Sequence, residues 1–426
     1  MGRTVFIGLD GVPHGLLKRL ADDGTMPHCR RLFEIGNLHC IASTIPDISS
    51  VAWSSIITGK NPAEHGIFGF VDIPINTYRI SFPNYLSLKS KPFWEKSEGR
   101  SVILNVPSTF PVREMNGVHI SGFVSLDLER SVYPPGLLSQ VKALDYKVDV
   151  DAEKAHVSMD MFLSDLDKTL TARGKVCDHL WQHEKWDTFM IVFTGTDRLM
   201  HFLWDAYEDE EHWYYKAFRG HFSKVDAIVG SIIDRLNDND ILVMCSDHGM
   251  EHLDKNVYVN AILKEHGFLH YDPALKGGFA NIDGRTKAFS LDPARIYLNK
   301  RGKFPRGCVA PNDEEKIIED ICELFQRYAV GGKAVCKAIY RKKEIFHGPF
   351  IDLAPDIVLI GNEGINLHSG LTAENTSEET IFSGKHTQHD AFLYVRGRDK
   401  CPSVKEGFNV SNIIGYIDSL KAERWR

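Results

Sequence analysis

Short, unbroken apolar runs recur along the chain and alternate with segments of helical periodicity. The runs are rich in aliphatic and β-branched residues and cover 4–9, 101–106, 188–193, 241–246, 356–360 and 392–395. Runs of this length are typical of strands covered on both faces, as in a parallel sheet. Helical patterns follow the first run and recur at 161–170 and 214–236. The alternation predicts an α/β fold with a doubly wound, mostly parallel central sheet and helices on both faces.

Two long segments between the predicted strands lack a clear period. Residues 70–100 are rich in Pro, Tyr, Phe and Ser, and 265–345 contain a stretch rich in Gly, Arg and Lys. Ligands of such sheets bind at the carboxyl ends of the strands, and we expect both segments to be lids or insertions there. No repeat, low-complexity tract or linker divides the chain. We therefore predict a single catalytic domain over 1–426.

The charge balance limits the classes of partner. The net charge is -7 and the pI is about 6.3, which argues against nucleic acid held on a broad basic surface. Small anionic substrates remain compatible, because a pocket can be locally positive around a metal ion. The sequence does not address the oligomeric state.

Cysteine use and the N-terminal residues suggest a reducing compartment. No CxxC pair occurs, so we expect free thiols rather than a disulfide framework. The cysteines are Cys29, Cys40, Cys177, Cys245, Cys308, Cys322, Cys336 and Cys401. The opening MGRTVFIGLDG has too short an apolar run for a signal peptide, and Phe6 stands where myristoylation requires Ser or Thr. No run is long enough to span a bilayer. We expect a cytoplasmic protein without membrane partners.

Carboxylates and imidazoles follow three of the predicted strands. Asp10 ends the first run, within IGLDG, although an Asp before Gly is also common in turns. Asp197 follows the run 188–193, and a helix starting there would place His201 on the same face. An Asp at a helix start is also an ordinary cap. The run 241–246 ends directly before Asp247 and His248, two ligand types that packing alone does not explain.

A late loop, SGKHTQHD, adds His386 and His389, either of which could be an ordinary surface histidine. With one of them, the chain offers three Asp and three His. Mixed imidazole and carboxylate ligands suit Zn²⁺ or Mn²⁺ better than Ca²⁺. Six ligands are too many for one tetrahedral zinc ion. They suit two ions about 4 Å apart, an arrangement that serves phosphoryl transfer.

The segment DISSVAWSSIITGKNPAEHGI, residues 47–67, places Ser49 and Ser50 directly before a predicted helix over 51–58. A serine in that position is most simply the N-cap of the helix. Beside a dication, however, a hydroxyl can lose its proton and attack, and the helix start favours an incoming anion. Either serine is a candidate nucleophile on this reasoning.

Five motifs occur in a characteristic order: VFIGLDG, SSVAWSSIITGKNPAEHGIFGF, TDRLMHFLWD, CSDHGM and GKHTQHDAF. With them, most of the chain resembles the type I phosphodiesterase/nucleotide pyrophosphatase family of the alkaline phosphatase superfamily. The resemblance implies an alkaline phosphatase-like fold and two metal ions, usually zinc. Matched residue by residue, one ion would be held by Asp197, His201 and His386, and the other by Asp10, Asp247 and His248.

The resemblance also selects a nucleophile. Family members usually carry a Thr four residues before the Trp of a T-x-P-A-W pattern, and that position is Ser49, which would also bridge toward the second ion. Besides carrying Ser in place of Thr, the chain departs from the pattern at three places. Val51 replaces Pro, and Ala52 replaces an Asn that holds a phosphate oxygen in animal members, so backbone N–H groups at the helix start would serve instead. Asp390 stands where Gly is common, which alters the turn beside His386.

Together these features imply a two-metal hydrolase of phosphate esters that acts through a covalent Ser49 intermediate. The expected substrate is a small phosphorylated molecule, a phosphodiester or a nucleotide diphosphate. One alternative is a phosphomonoesterase, which would need extra positive charge from residues such as Lys60, Arg198 and Lys385. Another is a metal-containing binding protein without enzymatic activity. Structural zinc sites usually have four protein ligands, so three ligands per ion favour catalysis.

Overall fold

The computed structural model describes residues 2–272, 274, 277–397 and 403–423. The chain divides into two compact units. The first comprises Met1–Lys60, Asn84–Met250 and His386–Arg426, and the second comprises Asn61–Pro83 and Glu251–Lys385. The expected segment 265–345 lies within the second unit, and 70–100 is divided between the two. The single domain over 1–426 and the lid role of these segments stay predictions.

The strands are numbered in chain order. They are β1 (Thr4–Leu9), β2 (Leu38–Ile41), β3 (Ser101–Val106), β4 (Gly117–Ser121), β5 (Val132–Tyr133), β6 (Thr188–Phe193), β7 (Ile241–Cys245), β8 (Gly249–Tyr258), β9 (Ala288–Leu291), β10 (Arg295–Leu298), β11 (Ala329–Val330), β12 (Lys333–Ala334), β13 (Cys336–Arg341), β14 (Ile357–Gly361), β15 (Gly364–His368), β16 (Ser377–Glu378), β17 (Gly384–Thr387) and β18 (Ala391–Arg396).

The α-helices are numbered in the same way. They are α1 (His14–Asp22), α2 (Pro27–Ile35), α3 (Ser49–Thr58), α4 (Pro62–His65), α5 (Phe93–Lys96), α6 (Leu138–Ala143), α7 (Glu153–Val157), α8 (Met159–His183), α9 (Gly195–Glu208), α10 (Tyr215–Ile233), α11 (Val259–Glu265), α12 (Glu314–Arg327), α13 (Lys342–Ile345) and α14 (Ile413–Glu423). None of the helices in the described part of the chain is long and apolar enough to cross a bilayer.

The first unit is built on an eight-stranded sheet in the order β2-β18-β7-β1-β6-β3-β4-β5. Its centre is parallel, because β1 pairs in parallel with both β6 and β7, and β3 pairs in parallel with β6 and β4. The antiparallel pairs involve β18, with its neighbours β7 and β2, and the edge strand β5. The predicted α/β class with a mostly parallel central sheet is confirmed.

The apolar runs mark the central strands closely. Strands β1, β3 and β6 have the predicted bounds, and every residue in them and in β7 is buried. The placement of the run 356–360 in the central sheet is wrong. It forms β14, which lies in the four-stranded sheet β13-β14-β10-β9 of the second unit with antiparallel neighbours. A short buried apolar run is compatible with a strand of either sheet, so its residue pattern does not identify the strands that pair with it.

The second unit has its own apolar core. Buried residues of β9, β10, β14 and α12 contribute to it, including Phe289, Ile296, Ile357 and Phe325. A further sheet of this unit runs in the order β15-β8-β16, and β17 also pairs with β8.

The expectation of free thiols is confirmed for seven cysteines, while Cys401 lies outside the described residues. Most of the seven are buried or half-buried, as small apolar side chains usually are.

The side chain of Trp53 packs against β1 near the carboxyl end of the strand. This side chain is fully buried, and a Cβ added at Gly8 of β1 would lie 2.4 Å from its ring. Glycine at this strand position therefore lets the indole of α3 pack directly against β1.

Candidate metal and active site

All seven predicted site residues lie in the first unit, where central strands end. Asp10 follows β1, Asp247 and His248 follow β7, and Asp197 and His201 lie on α9, which follows β6. These strands are parallel neighbours, so their carboxyl ends meet at one edge of the sheet. His386 lies in β17, and Ser49 opens α3.

The first predicted ligand set is brought together. The ligand atoms of Asp197, His201 and His386 all lie within 4.8 Å of one another. Asp197 Oδ1 is 3.4 Å from His201 Nε2 and 3.2 Å from His386 Nε2. His386 Nδ1 donates to the carbonyl of Asp47 at 2.9 Å, so in the neutral ring the lone pair is on Nε2, which faces the group. This is the tautomer that a metal-binding histidine requires.

The second set is brought together in part. The ligand atoms that all lie within 4.8 Å of one another belong to Asp10, Asp197 and His248, and Asp247 contacts this group through His248. His248 Nε2 lies 3.3 Å from Asp247 Oδ2 and 3.8 Å from Asp10 Oδ1. This nitrogen also lies 4.0 Å from Asp197 Oδ1. Asp197 is therefore common to both groups, which the motif spacing does not reveal.

Each ligand of the second set is anchored through its outer atom. His248 Nδ1 donates to the next carbonyl in the chain at 3.0 Å, and the Gly11 N–H donates to Asp247 Oδ1 at 3.0 Å. Trp53 Nε1 donates to Asp10 Oδ2 at 3.0 Å. The atoms left over, His248 Nε2, Asp247 Oδ2 and Asp10 Oδ1, face one another. Such partners fix the orientation of metal ligands in proteins.

Ser49 lies beside this second set. Its Oγ is 3.1 Å from His248 Nε2 and 3.4 Å from Asp10 Oδ1. The predicted helix start at residue 51 is wrong, because α3 begins at Ser49 and Ile48 is its N-cap. Neither Ser49 nor Ser50 is the cap, so capping does not explain these hydroxyls. The buried Ser50 hydroxyl has no hydrogen-bond partner within the described part of the chain.

The first turn of α3 supplies N–H donors to the same place. The N–H groups of Val51 and Ala52 donate to the carbonyl of Ile48 at 2.9 and 3.0 Å. Those of Ser49 and Ser50 precede them, and the first N–H groups of a helix have no partner inside the helix. Together with the helix dipole they favour an anion in front of Ser49.

The electrostatics of the group are those of crowded, buried carboxylates. Burial raises the pKa of Asp10 well above its usual value, and repulsion by Asp247 and Asp197 adds to the effect. Burial would also raise the pKa of Asp197, but His201 and His386 outweigh it and lower the pKa. Burial opposes the charged form of His386, yet the Asp197 carboxylate, 3.2 Å from its Nε2, raises the pKa of His386.

These residues fit a divalent cation. Asp197 Oδ1 and Asp247 Oδ2 are buried and accept no hydrogen bond from any described residue. Both oxygens face imidazole nitrogens instead, and two of those nitrogens, on His201 and His386, are only 2.9 Å apart. A cation would satisfy both the oxygens and the nitrogens. The donor set of imidazoles and carboxylates is one that zinc and manganese accept.

The unusual Asp390 is accommodated by the glycine that follows His248. A Cβ at Gly249 would lie 1.7 Å from Asp390 Oδ1, so glycine is needed to make room for this carboxylate. Thr387 donates its hydroxyl to the same carboxylate. The turn therefore closes beside His386 despite the substitution. His389, the other candidate of this loop, is exposed and belongs to neither group.

Sequence reasoning missed the supporting residues. Trp53 served only to align a motif, although its N–H holds Asp10. The Thr196 hydroxyl donates to the Asp10 carbonyl at 2.7 Å, and Asp149 lies 3.1 Å from the guanidinium of Arg198. Thr196 lies within the TDRLMH region, where a hydroxyl beside a ligand could have signalled its role. Asp149 lies in a loop without a motif, so its contact depends on tertiary structure alone.

The chain matches one protein family over most of its length. The model of the family described as type I phosphodiesterase / nucleotide pyrophosphatase matches residues 4–388. A search of curated protein sequences finds no match to the chain.

Solved structures with the same fold cover nearly the whole chain. Phosphonoacetate hydrolase from Sinorhizobium meliloti 1021, in complex with phosphonoformate, has a TM-score of 0.67 and 17% identity, covering 99% of this chain and 95% of its own. Inactive murine ectonucleotide pyrophosphatase / phosphodiesterase 5 in complex with AMP has a TM-score of 0.57 and 14% identity, with coverages of 99% and 95%. The alkaline phosphatase PafA has a TM-score of 0.60 and 10% identity, with coverages of 99% and 96%. The alkaline phosphatase-like fold is thereby confirmed.

We predict that metal binding releases protons and strengthens as the pH rises. Burial raises the pKa of Asp10 and the Asp197 carboxylate raises that of His386, so both groups bind protons more tightly in the metal-free protein, and a cation must compete with those protons. Affinity for Zn²⁺ should therefore fall as the pH decreases, about tenfold per pH unit for each proton displaced. Calorimetric titration at several pH values, in buffers of different ionisation enthalpy, measures the zinc affinity and the number of protons released.

His386→Ala should lose part of the proton release, whereas His389→Ala provides the matched control from the same loop. Zinc affinity that does not change between about pH 6 and pH 8 would contradict the prediction.

Proposed function

Since the chain belongs to the type I phosphodiesterase/nucleotide pyrophosphatase family, whose members are metal-dependent hydrolases, we propose that it cleaves a phosphodiester or nucleotide diphosphate bond through a covalent intermediate on Ser49. Membership of this family sets aside a purely binding role. The observation that carries the proposal is the position of Ser49 Oγ, between His248 Nε2 at 3.1 Å and Asp10 Oδ1 at 3.4 Å at the start of a helix.

The proposed reaction has two steps. Ser49 Oγ attacks phosphorus, the bond to the leaving oxygen breaks, and the phosphoryl or nucleotidyl group becomes an ester of Ser49. Water then attacks the same phosphorus, the bond to Ser49 Oγ breaks, and the serine hydroxyl is restored. The N–H groups of Ser49 and Ser50 at the start of α3 would hold a phosphoryl oxygen during both steps. These N–H groups would take the role of the Asn side chain that animal members carry at the position of Ala52.

Two divalent ions would complete the site. One would be held by Asp197, His201 and His386, and the other by Asp10, Asp247 and His248 beside Ser49. When bound, such ions lower the pKa of a coordinated hydroxyl or water and offset negative charge on phosphoryl oxygens. We propose zinc, with manganese as the alternative, because the set combines three imidazoles with three carboxylates.

The charges near the motifs favour a diester over a monoester. A monoester carries one more charged oxygen and would need a cation that the protein does not already use. Arg198 is paired with Asp149 at 3.1 Å, and Lys385 is paired with Glu251 at 2.8 Å with only 7% of its side chain exposed. Two of the three candidate cations are thus committed to carboxylates of the protein.

The ligands of the similar structures agree with a small phosphorylated substrate. Phosphonoformate and AMP are bound in the phosphonoacetate hydrolase and in ectonucleotide pyrophosphatase / phosphodiesterase 5, respectively. A nucleotide is therefore a reasonable class of substrate to test in this protein.

Substrate preference is tested by paired rates with added Zn²⁺ or Mn²⁺. We predict that purified protein cleaves bis-p-nitrophenyl phosphate faster than p-nitrophenyl phosphate, because two of the three candidate cations for a monoester, Arg198 and Lys385, are already paired with carboxylates. Nucleotide diphosphates would be tested next. Faster cleavage of the monoester would support the phosphomonoesterase instead. No cleavage of either model ester or of a nucleotide diphosphate by metal-loaded protein would contradict both functions.

Ser49→Ala should abolish turnover while leaving the metal content unchanged, because its six neighbouring ligands remain. The loss should reach about a thousandfold or more, since the covalent route is removed. Ser50→Ala is the matched control: it removes the adjacent hydroxyl of the same helix turn and should retain the covalent step. Hydrolysis rates and metal content by mass spectrometry test whether Ser49 is the nucleophile. An active Ser49→Ala variant would contradict that assignment.

A further inference from the structure

Asp197 needs a fixed orientation, because it belongs to both ligand groups. Its Oδ1 faces the imidazoles of His201 and His386, while its Oδ2 lies 3.5 Å from Arg198 Nη1. The two oxygens therefore have different neighbours. Rotation of the carboxylate about its last bond would move Oδ1 away from both histidines.

Arg198 is itself held from two further sides. Its Nε donates to Asp149 Oδ2 at 3.1 Å, and its guanidinium lies 4.2 Å above the ring of Phe123. The side chains of Arg198 and Asp149 are 21% and 14% exposed. A planar guanidinium can stack on a ring and donate to two carboxylates at once, which a lysine ammonium cannot do in the same geometry.

Asp149 is in turn fixed by a buried polar chain. Its Oδ1 accepts a hydrogen bond from the Thr194 hydroxyl at 3.1 Å. Thr194 accepts from Arg173 Nη1 at 3.2 Å, and Arg173 Nη2 donates to the carbonyl of Val148 at 2.7 Å. Arg173 is 1% exposed on α8. The chain of contacts therefore runs from the interior of α8, past the end of β6, to Asp197 on α9.

We infer that Asp149 and Arg198 are positioning residues of the metal centre. Together they hold Asp197 Oδ2 toward the Arg198 guanidinium, so that Oδ1 faces the imidazoles of His201, His386 and His248. The inference rests on the metal centre of the proposed function. It gives a role to Arg198, which lies within the motif TDRLMHFLWD but is not a ligand, and it adds Asp149, which lies in none of the five motifs. The pair is also neutral overall, so it orients Asp197 without adding net positive charge beside the cations.

A charge-neutral deletion separates orientation from charge. The double variant Asp149→Asn/Arg198→Met removes one negative and one positive charge, so the net charge near Asp197 does not change. Its affinity for Zn²⁺ should fall by about 10- to 100-fold, the usual effect of losing a partner that orients a metal ligand. Asp149→Asn alone is nearly isosteric, and it should weaken binding as well, because Arg198 then loses its anchor and its compensating charge.

Binding is measured by calorimetry on the full chain, and the absorption spectrum of the Co²⁺-loaded protein reports ligand geometry independently of turnover. The matched control is Arg219→Met. Arg219 also pairs with an aspartate, Asp23 at 2.6 Å, and also lies over a ring, that of Tyr215 at 5.4 Å. It is not part of either ligand group, so this variant should bind Zn²⁺ and show the Co²⁺ spectrum of the wild type.

The outcomes distinguish this inference from the proposed function. Weaker binding and an altered Co²⁺ spectrum in both Asp149 variants, with an unchanged Arg219→Met control, would support the positioning role. Tight binding by the wild type and equal binding by Asp149→Asn would overturn the inference alone. Failure of the wild-type protein to bind Zn²⁺ or Mn²⁺ would overturn the proposed metal centre and the inference with it.

Discussion

The site depends on one electrostatic constraint: three buried carboxylates, Asp10, Asp197 and Asp247, converge where parallel strands end. Buried charges are costly unless they are paired, and like charges at this distance raise the cost further. Histidines offset part of it, as the lowered pKa of Asp197 and the raised pKa of His386 indicate. Two carboxylate oxygens still lack donors among the described residues. A centre of divalent cations would remove this deficit, which is why the cluster is more than a set of surface acids.

The surrounding fold serves to keep these groups in place. The parallel pairing of β1 with β6 and β7 brings their carboxyl ends together. Because Gly8 has no side chain, the Trp53 indole packs against β1 and donates its N–H to Asp10. Carbonyl acceptors fix the tautomers of His248 and His386. Because the outer atoms are occupied by the protein, the inner atoms remain available for a ligand. The start of α3 then places a hydroxyl and backbone donors beside the same centre.

The sequence predicted the features that depend on local pattern. Apolar runs predicted the central strands, and residue types after those strands predicted Asp10, Asp197, His201, Asp247 and His248 as candidate ligands. The choice of His386 over His389 and of Ser49 over Ser50, and the division into two ligand sets, came from the family resemblance. Pattern could not assign the run 356–360 to its sheet, because an apolar strand is buried in either one. It also missed the start of α3, since Ile48 is an N-cap without a capping side chain. The double use of Asp197 and the contact of Asp149 with Arg198 arise from tertiary packing between distant segments, which no spacing encodes.

The most direct measurement of the central claim is the stereochemistry of hydrolysis at phosphorus. A phosphorothioate diester of one configuration would be hydrolysed by the metal-loaded protein in water enriched in heavy oxygen. Attack by Ser49 followed by attack by water comprises two inversions, so the account predicts overall retention of configuration. Overall inversion would mean that water attacks the substrate directly, and it would contradict a covalent intermediate on Ser49.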